Sequence, residues 1–246
     1  MNHEIITYGD SKSPLLLIQM VDEHDMELMD NEIAYIKELT GRDDFCLKAV
    51  KVDNWNDDLS PWQAPAVFGK EDFGGGASDT LSWLLGHVIP EELVQAKLEG
   101  YSQIGGKFEG SVAGDGSARQ RVVIGGYSLA GLFAIWAGYH SDCFDGIAAA
   151  SPSVWFPDFT RYMRENQIYT DVAYLSLGDR EDRSKNPIMR EVGFAIREAY
   201  MLLKASGVEC TLEWNEGNHF KDSDLRTARA FAWVIKGLTE VHILDE

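Results

Sequence analysis

Cysteine is scarce in this chain. Cys46, Cys143 and Cys210 lie far apart, are odd in number and form no CxxC pair. That spacing excludes a disulfide framework and a zinc ribbon. Basic residues are also few: 22 Lys and Arg stand against 40 Asp and Glu, a formal net charge of −18. A field of that sign repels nucleic acid, anionic membranes and polyanionic substrates, unless a local basic patch overrides it. No apolar run approaches the ~18 residues that a membrane span requires. The opening residues Met1 to Thr7 lack the basic start and apolar stretch of a secretory signal. There is no HExxH, no phosphate loop and no dinucleotide glycine pattern after the first strand. The glycines of Phe73-Gly74-Gly75-Gly76 follow a loop and not a strand, so they form no phosphate cradle. Neither a metal nor an organic cofactor is therefore expected. What remains is an acidic, soluble, cytoplasmic protein.

Apolar residues are plentiful. They make up 45% of the 246 residues, enough to bury a large core. Short apolar runs alternate with amphipathic stretches. Strands are expected at Leu15–Met20, Phe45–Val52, Arg121–Gly125, Gly146–Ala150, Val172–Leu177 and Val208–Trp214. Helices are expected at Glu27–Leu39, from Thr80 to about Leu98 with a break at Pro90, and at Leu129–Tyr139. Two more should run over Pro187–Ala205 and from a Ser223 cap to about Leu238. Asn186 can cap the first of these, with Pro187 in its first position and Gly207 beyond its end. Strands separated by helices predict a mainly parallel α/β sheet with helices on both faces, a three-layer sandwich. No repeat or linker divides it, so residues 1–246 read as one domain. Two stretches break the pattern. Asp53–Gly76 has no sustained period and leaves the edge where ligands bind in such sheets, which predicts a pocket wall or lid outside the core. Gly100–Gln120, rich in Gly and Ser, reads as a mobile surface connection.

The run from Val122 to Gly131 (VVIGGYSLAG) places Ser128 between a buried strand and an almost wholly apolar helix. A G-x-S-x-G turn needs small residues two before and two after the serine, because the backbone bends sharply there. Gly126 meets the first requirement, and Ala130 replaces the second glycine. By composition, G-x-S-x-[G/A] arises by chance roughly once in four chains of this length, so the strand–turn–helix context carries the reading. The competing reading is a serine that only caps its helix.

A serine hydroxyl needs a base, and the base an orienting acid. In this architecture they follow in the order Ser, acid, His, each on a loop after a later strand. His219, in Asn215–Phe220, follows the last strand. Its rival is His24, which follows the first expected strand on the same edge. His3 and His242 are terminal, His140 ends the serine helix, and His87 sits among packing residues. The acid lies in Gly178-Asp179-Arg180-Glu181-Asp182, whose three carboxylates remain alternatives. One oxyanion donor should be the Leu129 N–H, and the other a backbone N–H at Met20 or Val21.

With these pieces placed, the chain resembles the α/β-hydrolase superfamily, closest to the esterase branch of esterase D and enterochelin-esterase-like proteins. GGYSLAGLFAIWAGY (Gly125–Tyr139), ASPSVWF (Ala150–Phe156), LSLGDRED (Leu175–Asp182) and EGNHF (Glu216–Phe220) carry the resemblance over roughly the C-terminal half. It implies Ser128 as nucleophile, His219 as base, and Glu181 or Asp182 as the acid. Ser153, Trp155 and Phe156 would lie near the pocket, Tyr127 beside it, and Trp55 and Trp62 could line its mouth or simply pack. The expected activity is ester hydrolysis through an acyl-serine, acting on a small-molecule ester without nucleic acid or membrane. Homo-oligomerisation is left open. A non-catalytic hydrolase-like binding protein and an acyltransferase are the alternatives.

Overall fold

The run Leu15–Val21 is apolar at six of its seven positions, and every residue of it is buried. Such a strand must be covered on both faces, and its side chains divide by parity between two cores. Leu16, Ile18 and Met20 join one cluster, whereas Leu15, Leu17 and Val21 join the other. The same division runs through the sheet and makes three layers. A computed structural model describes residues 3–67, 69–95 and 119–240.

In chain order the elements are β1 (Glu4–Tyr8), β2 (Leu15–Val21), α1 (Glu23–Thr40), β3 (Phe45–Lys51), α2 (Trp55–Asp58), β4 (Gln63–Ala64), β5 (Phe73–Gly74) and α3 (Ala77–His87). There follow β6 (Arg121–Tyr127), α4 (Leu129–Gly138), β7 (Gly146–Ala150), α5 (Phe159–Glu165), β8 (Val172–Gly178) and a 3₁₀ turn (Glu181–Arg183). The last are α6 (Pro187–Arg190), α7 (Val192–Ala205), β9 (Glu209–Asn215) and α8 (Ser223–Glu240). The main sheet has the order β1-β3-β2-β6-β7-β8-β9. All its pairings are parallel except β1 with β3. Helices α1 and α8 cover one face through Met29, Ile36, Phe231 and Val234. Residues of α3, α4, α5 and α7 cover the other. Every residue of α4 is buried, as its apolar sequence demands. No helix among the described residues is long and apolar enough to cross a membrane.

Most departures from the sequence pattern lie at element ends. Helix α1 starts at Glu23, not Glu27, because Asp22 and Asp25 form a reciprocal capping box, and it stops at the left-handed Gly41. The segment from Pro187 to Ala205 is two helices, joined at Glu191. Asn186 does cap the first, accepting from the N–H groups of Ile188 and Met189. The helix expected from Thr80 ends at His87, and residues 91–95 are helical after Pro90. The remainder of that helix, and nearly all of Gly100–Gln120, lie outside the described residues.

Asp53–Gly76 is the substantive correction. It is packed into the core and does not lie outside it, since it folds into α2 and the β4–β5 hairpin and buries Leu59 and Phe73. Ser60 accepts the Gly75 N–H at 2.8 Å and donates to the Asn56 carbonyl at 2.7 Å. The Trp62 indole N–H donates to the Pro157 carbonyl at 3.1 Å, and its rings lie against Phe156 and Tyr162. The absence of period reflected short elements rather than exposure.

One polar pair interrupts the α1 face of the sheet. Gln19 of β2 donates its Nε2 to Glu32 of α1 at 3.1 Å. The Gln19 amide oxygen and the second carboxylate oxygen of Glu32 have no hydrogen-bond partner among the described residues. Burial pushes the Glu32 carboxyl well above its ordinary range, and Asp25 is pushed up to about 6 mainly by the same cause. A carboxyl whose folded value is raised binds its proton more tightly in the native state. Stability is then full below the unfolded pKa, about 4.3 for Glu, and falls as pH rises through the folded value. Glu32→Gln removes that loss and supplies a donor for the Gln19 oxygen. The variant is expected to melt higher than wild type at pH 8 and close to it at pH 4, as followed by circular dichroism.

Candidate active site

Ser128 occupies the single residue between β6 and α4, with φ 59° and ψ −119°. A non-glycine residue held at positive φ costs about 1–3 kcal/mol and persists only where its surroundings fix it. Three backbone hydrogen bonds do so here. The Ser128 N–H donates to the Ala150 carbonyl at 3.1 Å, and its own carbonyl accepts from Ser153 at 3.0 Å and Leu132 at 3.1 Å. Gly126 makes the turn compatible with Ala130, because a Cβ at Gly126 would lie 2.6 Å from the Ala130 methyl. The methyl that replaces the second glycine of the motif thus fills space left by the first.

Ser128 Oγ lies 3.0 Å from His219 Nε2, and His219 Nδ1 lies 2.7 Å from Glu181 Oε2. With the ring proton on Nδ1, the imidazole donates to the carboxylate and accepts the serine O–H at Nε2. His219 retains 22% side-chain exposure, whereas Glu181 has 5%. The other oxygen of Glu181 accepts the Gly178 N–H at 2.7 Å, the Ser151 hydroxyl at 2.9 Å and Arg226 Nη1 at 3.3 Å. Gly178 must be bare at this point: a Cβ there would fall 2.5 Å from the Gly217 carbonyl and 2.9 Å from the Glu181 carboxylate. Asp179 accepts the Gly217 N–H at 2.7 Å and so ties the histidine loop to the end of β8. Asp182 is exposed beside Gly193 of α7 and does not reach the imidazole. Of the three carboxylates, only Glu181 faces His219.

The remaining candidates are placed as follows. His24 is exposed in the first turn of α1, His87 bonds the Trp83 carbonyl of its own helix, and His140, just past α4, bonds the Trp136 carbonyl. The Leu129 N–H is the first of α4, where helical amides lack intrahelical partners. The Val21 carbonyl accepts from Val52, so its N–H points toward β3 and away from the serine. Met20 faces β6: its carbonyl lies 3.4 Å from where a Gly126 Cβ would stand. Ser153 Oγ is 3.3 Å from Ser128 Oγ and buried. Trp55, Trp62 and Trp155 are all partly buried against the core. Tyr127 is not a pocket wall. It is buried behind the histidine, donating its hydroxyl to the His219 carbonyl at 2.8 Å and accepting from Arg226 Nη1 at 2.9 Å. Burial, with the nearby Glu181 charge, pushes this phenol up to about 12, so it remains a donor. Among the described residues no group of three His, Cys, Asp or Glu could hold a metal ion.

Sequence reading missed two residues. Arg226 of α8 is 2% exposed and joins Glu181, Tyr127 and the Glu216 carbonyl. Its signal was a lone arginine in step with Ala230 and Val234, which are buried one and two turns later. Phe220, directly after His219, is 89% exposed with its ring edge-to-face to the imidazole. Exposure of an apolar residue leaves no local trace in sequence.

No protein-family model matches the chain, and no curated protein matches it in sequence. Solved structures do resemble it. The siderophore hydrolase EstA from Aspergillus nidulans aligns with a TM-score of 0.57 at 20% identity, over 97% of this chain and 90% of its own. An IroE-like serine hydrolase from Shewanella oneidensis aligns at 0.67 and 14% identity, over 95% and 76%. The enterobactin esterase FES from Shigella flexneri aligns at 0.57 and 14% identity, and this chain, 96% covered, spans 56% of that protein's length. At such identities the likeness is one of fold, and the fold is that of the α/β-hydrolases.

The buried Arg226–Glu181 pair can be tested directly. Removing one member of a buried ion pair leaves an uncompensated charge and costs about 3–5 kcal/mol. Arg226→Met is expected to lower unfolding stability by that amount in urea denaturation, whereas breaking the solvent-screened, exposed ion pair of Arg161 with Glu165 should leave the midpoint almost unmoved.

Proposed function

We propose that this protein is a serine esterase that cleaves a carboxylic ester through an acyl-Ser128 intermediate. The observation that carries the reading is the unbroken chain from Ser128 Oγ through His219 to Glu181. A strained serine on a sharp turn supports it further, since strain of this kind gathers at reactive positions.

Ser128 Oγ attacks the ester carbonyl carbon as His219 Nε2 takes the hydroxyl proton. Negative charge develops on the carbonyl oxygen, where the Leu129 N–H at the start of α4 stabilises it. Collapse breaks the bond between the acyl carbon and the alcohol oxygen, and the alcohol leaves with the proton from His219. A water molecule then repeats the sequence on the acyl-serine and releases the acid. Glu181 holds the imidazole in the required tautomer and supports its transient positive charge. EstA is a siderophore hydrolase and FES an enterobactin esterase, so esters of those kinds are the first natural substrates to test.

Labelling with a fluorophosphonate, peptide mapping and turnover of short nitrophenyl esters check this reading. Wild type should label at Ser128 and Ser128→Ala should neither label nor hydrolyse, while both remain folded. His219→Ala and Glu181→Gln are each expected to reduce kcat by about four orders of magnitude. Asp182→Asn and His24→Ala should stay within a few-fold of wild type. A folded wild type that neither labels nor turns over any ester would favour the binding-protein reading.

A further inference from the structure

An aromatic ring stands in solvent beside the proposed base. Phe220 is 89% exposed, more than any other large apolar residue described as exposed. A single exposed apolar residue is ordinary on a protein surface. Its mounting is not. The Phe220 N–H donates to Asn218 Oδ1 at 3.0 Å, and the Lys221 N–H donates to the Asn218 carbonyl at 3.3 Å. Lys221 pairs with Glu216 at 3.4 Å, and the Gly217 carbonyl accepts the Arg180 N–H at 3.0 Å. Arg226 Nη2 holds the Glu216 carbonyl at 3.0 Å. The loop is therefore braced on both sides of the ring. Phe220 projects from a fixed support, with its centroid 5.5 Å from that of the His219 imidazole.

The serine-esterase reading decides which half of an ester would meet this ring. In acylation, His219 Nε2 returns its proton to the departing alcohol oxygen, which must then lie about 3 Å from that nitrogen. The carbonyl oxygen is drawn instead toward the Leu129 N–H. With the two ring centroids 5.5 Å apart, an alcohol substituent that extends along the imidazole comes within reach of the Phe220 ring. A contact with the alcohol half acts in acylation and is lost once the alcohol has left the acyl-enzyme.

We propose that Phe220 is a specificity-determining residue that packs on the alcohol half of the substrate and gives this esterase a preference for aralkyl over short alkyl alcohols. Edge-to-face or offset-stacked contact with a second aromatic ring, together with the apolar area it covers, amounts to about tenfold in relative acylation rate. The inference rests on the esterase reading, and its test separates the two.

Benzyl butyrate and ethyl butyrate share one acyl group and carry alcohols of similar leaving ability. Their kcat/KM values are compared, by acid release, for wild type, Phe220→Ala and Phe220→Trp. Wild type should favour the benzyl ester by about tenfold beyond ethyl. In Phe220→Ala the benzyl-to-ethyl ratio should fall about tenfold, and in Phe220→Trp it should be kept. The ratio is internally controlled, because a folding defect lowers both substrates together. An unchanged ratio in Phe220→Ala, or no benzyl preference in wild type, overturns the role of Phe220 and leaves the esterase intact. A wild type that labels with fluorophosphonate but hydrolyses neither butyrate also overturns the preference. Failure to label and to hydrolyse any ester removes the esterase reading and this inference with it.

Discussion

The Glu181 carboxylate is a charge placed where water barely reaches, and the surroundings of the site are arranged to make that tolerable. An unpaired buried carboxylate would take up a proton and cease to orient an imidazole. Here one oxygen is given to His219 and the other to three donors from three different elements: the end of β8, Ser151 after β7, and Arg226 of α8. Arg226 in turn holds Tyr127 at the end of β6 and the Glu216 carbonyl in the histidine loop. The polar network therefore joins the ends of three neighbouring strands, a loop and a helix. If one member shifts, the distance between His219 and Ser128 shifts with it.

The serine turn depends on packing of a different kind. Ser128 sits in a backbone conformation it would not choose, and the free energy that holds it there comes from burial of α4 against β6 and β7. The bare Gly126 and the methyl of Ala130 are two halves of one steric solution. Strain and burial thus belong together: an exposed α4 could not fix the turn, and an unstrained turn would not present the hydroxyl to His219.

The same fold recurs in solved hydrolases at identities of 14–20%. That persistence is understandable from the parity of the strands. Alternate residues of β2 feed two cores, and any set of apolar residues that keeps this alternation fills the same three layers. What differs among such proteins lies at the loops on the ligand edge. In this chain the aromatic residues there divide sharply, with Trp62 half-buried against the core and Phe220 held out of it.

Much of this was legible in the amino-acid order. Apolar period located the main strands and helices, because burial on one or two faces imposes a period of its own. The placing of Ser128 between a strand and a helix, and the loops that carry Glu181 and His219, follow from chain order in a parallel sheet, where loops after successive strands gather on one edge. β1 went unseen because a short edge strand carries a weak pattern. Asp53–Gly76 was misjudged because elements of two to four residues have no period to read. Only the tertiary structure chose Glu181 from three neighbouring carboxylates, moved Tyr127 from the pocket to the support behind His219, and brought in Arg226 from a helix 45 residues beyond the acid. These are matters of direction and burial among side chains far apart in the chain. A sequence records which groups are available; packing decides which of them meet.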